Sequence, residues 1–597
     1  MHANVRIEDT GLPADLADSP LYNPDLAPVP MASRDWTTYN FAALWIAMAH
    51  CIPTYMYAGN LLGAGMNAWQ AMLVIALGNL IVLVPILLNA HPGTKYGIPF
   101  PVLARSAFGT TGAQIPAVLR ALVACGWFGV QTWIGGEAVR AFVQVLWPGF
   151  KWLAGSSIHI VEAANGSLTN VYVPWEIPFT AGLSVPAAIT FFVFWALNIF
   201  IIFRGMNAVR VFENWAAPLV LAMAAMLMVW VVTMVGGVGD LLTKPSQFTS
   251  FSQFWWVFVP QVTAMIGFWS TLSLNIPDFT RYGKDQRQQM IGQALGLPPT
   301  MIGFSMMGLV ITSASAMLLP AAALSDLWNP EFILAQITSA HPIGLDHPLI
   351  ASAAVRIAVA VFALFGIGVA TISVNIAANV ISPANDFANL APKYVSFQTG
   401  GLITGLLGIL ILPWKLLASQ GAYVFTWLIG YSALLGPIAG IMIADYWLIK
   451  RTELDVPELY RPEGKYKGIN PVAVGALILG VLPNVPGFLH AIGAWMHRVN
   501  EGAEVTVMGF GQQEAVEASQ QLLVMNQKCL SMGLIDNGDA TFNGAVSCPG
   551  LGELTVKAIK LGAPVTDMWD NIYVYAWFVG FAIAFGVYAA GMRARRA

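Results

Sequence analysis

The chain has 597 residues, of which 57% are hydrophobic and only 10% charged, against roughly 25% charged in an ordinary soluble domain. This excludes a water-exposed globular protein over most of the length, and it excludes disorder, which needs low hydrophobicity and high charge. A net charge of −3 without a basic block gives no basis for nucleic-acid binding, and four cysteines without a CxxC or Cys/His spacing support neither a disulfide framework nor a structural metal. The composition is that of an integral membrane protein.

The first 35 residues carry Glu8, Asp9, Asp15, Asp18 and Asp25 and no apolar run, so they do not read as a secretory signal peptide. Beyond them, stretches of roughly 20 apolar residues, long enough to cross a bilayer as helices, recur twelve times. Their approximate limits are 38–58, 67–89, 115–141, 184–203, 213–236, 255–276, 295–319, 352–381, 399–417, 423–446, 471–494 and 571–592. Lipid offers no hydrogen-bond partners, so these are predicted to be helices of an all-α bundle.

With the N-terminus in the cytoplasm, that side collects most of the Lys and Arg, among them Arg34, Lys95, Arg105, Arg281, Lys393, Lys450, Arg461 and Arg593. The positive-inside rule then places both termini in the cytoplasm. Residues 1–37 form a cytoplasmic segment, 38–494 the first eleven spans, 495–570 a polar outer loop, and 571–597 the last span with its basic tail. Cys529 and Cys548 lie in that loop, where an oxidising compartment would allow a disulfide, two free thiols being the alternative. Asn165-Gly166-Ser167 is a bare glycosylation pattern on the same side.

Two spans are interrupted alike. The first reads Ala47-Met48-Ala49-His50-Cys51-Ile52-Pro53 and the sixth Ser273-Leu274-Asn275-Ile276-Pro277. A proline inside a helix removes a hydrogen bond and clashes with the preceding turn, freeing carbonyls to face a cavity. A packing kink explains either break alone. Breaks five spans apart point to a transporter of two inverted repeats, 38–236 and 255–446, with two added helices.

Polar groups inside apolar spans are costly and mark a pathway or a partner. Trp127 and Gln131 are spaced i, i+4 in the third span, an aromatic plate beside an amide that both donates and accepts. Trp269 stands four residues before Ser273. Asn375 and Asn379, i, i+4 in the eighth span, need partners from a substrate or a neighbouring helix. His50, beside the first break, is either a proton-linked group or an imidazole bonded to a backbone carbonyl. Glu137, Arg140 and Asp278 read as structural pairing groups.

At these residues the chain resembles nucleobase-cation symporter family one, permeases for cytosine, uracil, allantoin and hydantoins. The resemblance runs from about Leu21 to Trp495. It is carried by Asn23-Pro24-Asp25-Leu26-Ala27-Pro28, Asn40 to Trp45, His91-Pro92-Gly93-Thr94-Lys95-Tyr96-Gly97 through Arg105 to Gly109, Trp127 to Trp133, Asn275-Ile276-Pro277-Asp278-Phe279-Thr280-Arg281, and Ala377-Ala378-Asn379 through Ser382-Pro383.

The resemblance implies a five-plus-five inverted-repeat fold working by alternating access in the plasma (inner) membrane. It implies a planar ring held between Trp127 and Trp269, with its edge bonded by Gln131 and Asn379. Cys51 replaces a glutamine of the sodium-coupled hydantoin pattern and Phe268 replaces a glycine, so both belong to the implied pocket. The sodium ligands of that pattern are carbonyls on helix one, which map to Ala47 and His50, and groups on helix eight, which map to Ala370, Ser373 and Val374; Val374 has no hydroxyl where that pattern has threonine. Na+ or H+ is the implied coupling ion, no other cofactor is implied, and the departures are those of the allantoin-permease-like branch. A same-fold carrier of an amino acid or a thiamine-like base is the alternative, and no nucleophile-base set suggests an enzyme.

Overall fold

The computed structural model describes residues 7–8, 11–162, 168–178, 180, 182–204, 206–318, 327, 333, 352–417, 426–500, 505–508, 530–531, 535–536, 541–548, 552–559 and 568–595. The Asn165-Gly166-Ser167 pattern and Cys529, with the disulfide it would form, lie outside them. Among the described residues eight helices are long and apolar enough to span a bilayer, or nine when one pair bent by 59° counts as a single span.

That pair is α1 (Thr38–Ala49) and α2 (Ile52–Gly63). It is followed by α3 (Ala68–Tyr96), α4 (Phe100–Phe108) and α5 (Gln114–Leu146). Next come α6 (Val185–Phe203) and α7 (Met206–Val235). The sixth predicted span is divided into α8 (Phe251–Phe268), α9 (Ser270–Asn275) and α10 (Pro277–Thr280). Then follow α11 (Gln286–Leu318), α12 (Ala353–Asn379), α13 (Ile381–Leu390) and α14 (Phe397–Leu410). The chain ends through α15 (Pro413–Leu416), α16 (Ile429–Ile443), α17 (Pro471–Val481), α18 (Val485–Asn500), α19 (Met568–Tyr573) and α20 (Ala576–Ala594).

Three expectations need correction. The chain is mainly rather than purely helical: β1 (Ser156–Glu162) pairs antiparallel with β2 (Leu168–Pro174), and short strands between 505 and 559 form a second sheet. The apolar residues Ile158, Ile160, Val171 and Val173 recur with period two, which suits a strand rather than a helix. The second span extends to Tyr96, because Pro85 and Pro92 are both accommodated inside α3. Its last turn is fixed by Lys95, which pairs with Glu8 at 3.4 Å and Glu453 at 3.0 Å. Finally, α4 was not foreseen as an element, and every one of its residues is buried.

In hydrocarbon the drive to associate comes from close packing and interhelical hydrogen bonds, and α5 uses both. Gly129 lies against the backbone carbonyl of Gly408 on α14, and Gly136 lies against the backbone of Phe191 on α6. Asn375 of α12 donates from its amide to Thr132 Oγ1 at 3.1 Å, Asn198 Oδ1 at 3.3 Å and the Phe128 carbonyl at 3.4 Å. This joins α12 to α5 and α6.

A Cβ at Gly129 would meet the Gly408 carbonyl oxygen, which cannot yield without moving α14. Gly129→Leu is therefore expected to remove most of the monodisperse protein on size-exclusion chromatography in detergent. Gly303→Leu, which meets nothing within 4 Å, should leave the profile unchanged.

Candidate functional site

The first break is made by two residues that leave the helix. His50 (φ −84°, ψ 68°) ends α1, and Cys51 (φ −121°, ψ 158°) is fully extended. Pro53 then occupies the second position of α2, where its missing N–H costs nothing; it also brings no donor to the Ala49 carbonyl four residues back. The amides of Thr54 and Tyr55 both donate to the Cys51 carbonyl, at 3.0 and 3.2 Å, and Cys51 Sγ meets Thr54 Oγ1 at 3.2 Å. The break thus lies ahead of Pro53, and the proline starts the second segment.

The sixth helix is divided twice: at Trp269 the backbone leaves the helix (φ −106°, ψ 7°), and at Ile276, ahead of Pro277 at the start of α10, it stays in the helical region (φ −52°, ψ −28°). The sequence pointed only to the second. Asn89 of α3 holds the segment between them, donating to the Ser273 carbonyl at 2.7 Å.

The two breaks flank a continuous row of rings. Trp45 and Trp269 meet edge to face with centroids 5.2 Å apart, Trp269 and Phe268 are 5.1 Å apart, and Phe268 and Trp127 are 5.1 Å apart. Phe268 therefore contacts both indoles that were expected to sandwich a substrate. Trp427 and Tyr431 close the row beyond Trp127, at 6.2 and 6.5 Å, and Trp127 Nε1 donates to Tyr431 Oη at 3.2 Å. Edge-to-face contacts of this kind fix ring orientation as well as burying area.

Polar atoms border the row. Gln131 lies beside Cys51, and neither Gln131 Oε1 nor Trp269 Nε1, both buried, has a protein partner in the structure. Native interiors leave few such groups, and the exceptions concentrate where function supplies the partner. The two asparagines of α12 divide their work. Asn375 is a helix-packing group, whereas Asn379 donates to Asn375 Oδ1 at 3.1 Å, an arrangement that fixes the Asn379 amide one turn further along the helix.

The expected cation residues are brought together only in part. His50 and Ala370 line one cavity of about 70 Å³, together with Tyr55, Met223, Phe304 and Ile367. Ala47, Ser373 and Val374 are buried, and among the five side chains only Ser373 brings an oxygen. A hard cation takes oxygen ligands, which here would be the Ala47 and His50 carbonyls and Ser373, with no hydroxyl from Val374. His50 Nδ1 bonds the Ile46 carbonyl, which is the backbone-bonded imidazole reading. Glu137 and Arg140 pair with each other, and Asp278 accepts from the Phe100 amide at 2.9 Å. Among the described residues no group of three or more His, Cys, Asp or Glu could hold a metal ion.

Sequence reasoning missed Trp45, Trp427 and Tyr431, although the i, i+4 spacing of the last two repeats the Trp127/Gln131 signal. It also missed Arg120, a charge inside the third predicted span.

The family described as permease for cytosine/purines, uracil, thiamine, allantoin matches residues 28–508. A purine-uracil permease of Arabidopsis thaliana is 42% identical over 83% of this chain and 76% of its own length. An allantoin permease of Bacillus subtilis is 38% identical over 78% of this chain and 87% of its own. A solved nucleobase-cation-symport-1 transporter, closed with bromovinylhydantoin bound, superposes with a TM-score of 0.59 at 24% identity, covering 79% of this chain and 91% of its own. The fold is that of a membrane transporter, and the family and its relatives are permeases, not enzymes. The chain belongs to the nucleobase-cation symporter family of permeases.

Tyr431→Phe removes the acceptor of the Trp127 N–H and should cost about 1 kcal/mol in holding that plate. The expected outcome is a roughly fivefold rise in substrate KM with expression and maximal uptake nearly unchanged, measured as initial uptake rates in whole cells.

Proposed function

We propose that the protein imports a flat nitrogen heterocycle, a nucleobase or cyclic ureide of the uracil, cytosine, allantoin or hydantoin kind, by alternating access. The observation that carries this reading is the row Trp45, Trp269, Phe268, Trp127, held between two helix breaks and bordered by the buried, unpartnered Gln131 Oε1 and Trp269 Nε1. A substrate ring enters between Trp127 and Trp269 as the Phe268 side chain swings aside. Gln131 and Asn379 bond its edge, and Cys51 bounds the pocket at the first break. Stacking is tolerant of ring identity; the amides select, because an unmatched donor buried there goes unpaid.

The nine candidate spans, the shorter apolar helices Leu221–Val235 and Phe397–Leu410, and the interrupted α8–α10 segment together make twelve crossings. Residues 38–236 and 255–446 are the inverted repeats, 495–570 faces outward, and both termini face the cytoplasm of the plasma membrane. The coupling ion is a proton rather than sodium, since Val374 contributes no oxygen among Ala47, His50, Ala370 and Ser373. A carboxylate substrate is disfavoured, because the buried guanidinium of α5, Arg120, is already paired with Asp386.

Trp127→Ala and Asn379→Ala are each expected to abolish uptake of radiolabelled uracil and allantoin while leaving the inserted, monodisperse protein intact. Unchanged uptake in both would discredit the pocket. Replacing external sodium by choline should barely alter the wild-type rate, and a strong sodium requirement would refute the coupling.

A further inference from the structure

Three glutamines stand in one stripe of α11. Gln286, Gln289 and Gln293 occupy positions i, i+3 and i+7 of its first two turns, and all three are buried. Their amides bond in series. Trp45 Nε1 donates to Gln293 Oε1 at 3.3 Å, Gln293 Nε2 to Gln289 Oε1 at 2.5 Å, and Gln289 Nε2 to Gln286 Oε1 at 2.9 Å. Gln286 Nε2 ends the series on the His91 carbonyl of α3 at 2.8 Å. Seven residues of helix rise about 10 Å, so the amides link the end of α3 to the aromatic row.

The two ends set the direction of every bond. An indole N–H can only donate and a backbone carbonyl can only accept. No single amide between them can turn over without placing oxygen against oxygen and N–H against N–H. Gln293 therefore presents its oxygen to Trp45. The indole is held at its base as well: a Cβ on Gly296 would lie 2.7 Å from Trp45 Cβ and 3.0 Å from Ala42 Cα, so α1 and α11 meet there at backbone distance. A contact at Cβ and a bond at Nε1 together fix how the ring stands.

That orientation reaches Trp269. Trp269 Nε1 is buried without a partner, so no indole hydrogen bond sets the plane of this plate. Among the described residues its ring contacts are Trp45, edge to face at 83°, and Phe268. Once Phe268 swings aside for a substrate, Trp45 is the ring left against it. The opposite plate is held directly, by the bond from Trp127 to Tyr431. Helix packing alone does not call for three buried amides, which are costly inside a membrane span, because Gly292 and Gly296 already bring α11 against the backbone of α1.

We propose that Gln293 is a positioning residue of the heterocycle site: through the Trp45 indole it sets the plane of the Trp269 plate. Gln289, Gln286 and the His91 carbonyl keep its amide oxygen turned toward Trp45. The inference rests on the reading of Trp269 as a substrate plate.

The test uses the full chain. Gln293→Met keeps the side-chain length and removes the acceptor. Initial uptake of radiolabelled uracil and allantoin by whole cells should show KM raised about fivefold, with maximal rate and monodispersity nearly unchanged. Gln293→Glu keeps an oxygen toward Trp45 in either protonation state and should keep the wild-type KM. Trp45→Phe removes the donor from the other end and should also raise KM; adding Gln293→Met to it should raise KM no further, since both break one link. Gln289→Met frees the Gln293 amide to turn over, should raise KM in the same direction, and supplies the comparison if Gln293→Met does not fold. A second measurement reads the plate without substrate. In purified protein labelled with fluorotryptophan, the fluorine NMR line that Trp269→Phe removes should move in Gln293→Met and return in Gln293→Glu. An unchanged KM in Gln293→Met, effects that add to those of Trp45→Phe, or a Trp269 line that stays in place would overturn the proposal. A wild type that takes up neither compound, with the line still moving in Gln293→Met, would sink the substrate reading and leave the link from Gln293 to Trp269 standing.

Discussion

Backbone that leaves a helix inside a bilayer must find its hydrogen-bond partners in protein or in an enclosed cavity, because lipid supplies none. That constraint organises this molecule. His50, Cys51 and Trp269, the residues at which the first and sixth helices depart from helical geometry, are all buried. The Thr54 and Tyr55 amides start α2 on the Cys51 carbonyl, and the Asn89 amide reaches the Ser273 carbonyl, which Pro277 cannot bond. Buried side-chain atoms without a partner remain beside the breaks: His50 Nε2, Gln131 Oε1, Trp269 Nε1 and Asn275 Oδ1.

The framework beside the breaks is built by a different economy. Glycines on α5 bring α14 and α6 to backbone contact, and Asn375 fastens α12 to α5 and α6. These are the short-range packing and amide bonds that hold helices together where hydrophobicity gives no preference between neighbour and lipid. The rings of the chamber then come from both parts. Trp127 stands on the unbroken α5 and Tyr431 on α16, whereas Trp45, Phe268 and Trp269 stand on segments that end at a break. In the proposed mechanism a motion at the breaks would change the spacing of the two sets, as alternating access requires of a binding site.

Much of this was legible in the sequence because its signals are local. Proline acts on its own turn, so Pro53 and Pro277 marked the right helices. They misplaced the departures: the chain leaves the helix at His50 and Cys51, just ahead of Pro53, and at Trp269, well ahead of Pro277, since a proline is comfortable at a helix start. Trp127 and Gln131 were readable from i, i+4 spacing. Their partners were not: Trp127 bonds Tyr431, 304 residues away, and Arg120 meets Asp386, 266 residues away. Arg120 itself was a readable signal, a charge in an apolar span, whose meaning emerged only with its partner. The two-residue period at Ile158–Ile160 and Val171–Val173 likewise announced strands that a hydropathy count alone absorbs into loop.

The central claim is that the chamber between the two breaks receives a planar heterocycle between Trp127 and Trp269. An experimental density map of the full-length protein with uracil or allantoin bound tests it directly. The account predicts a flat ligand between those indoles, Phe268 turned out of the space it now fills, and Gln131 and Asn379 on the ligand's edge. A ligand elsewhere with Phe268 still packed against both indoles, or a first and sixth helix running unbroken through the bilayer, would contradict it.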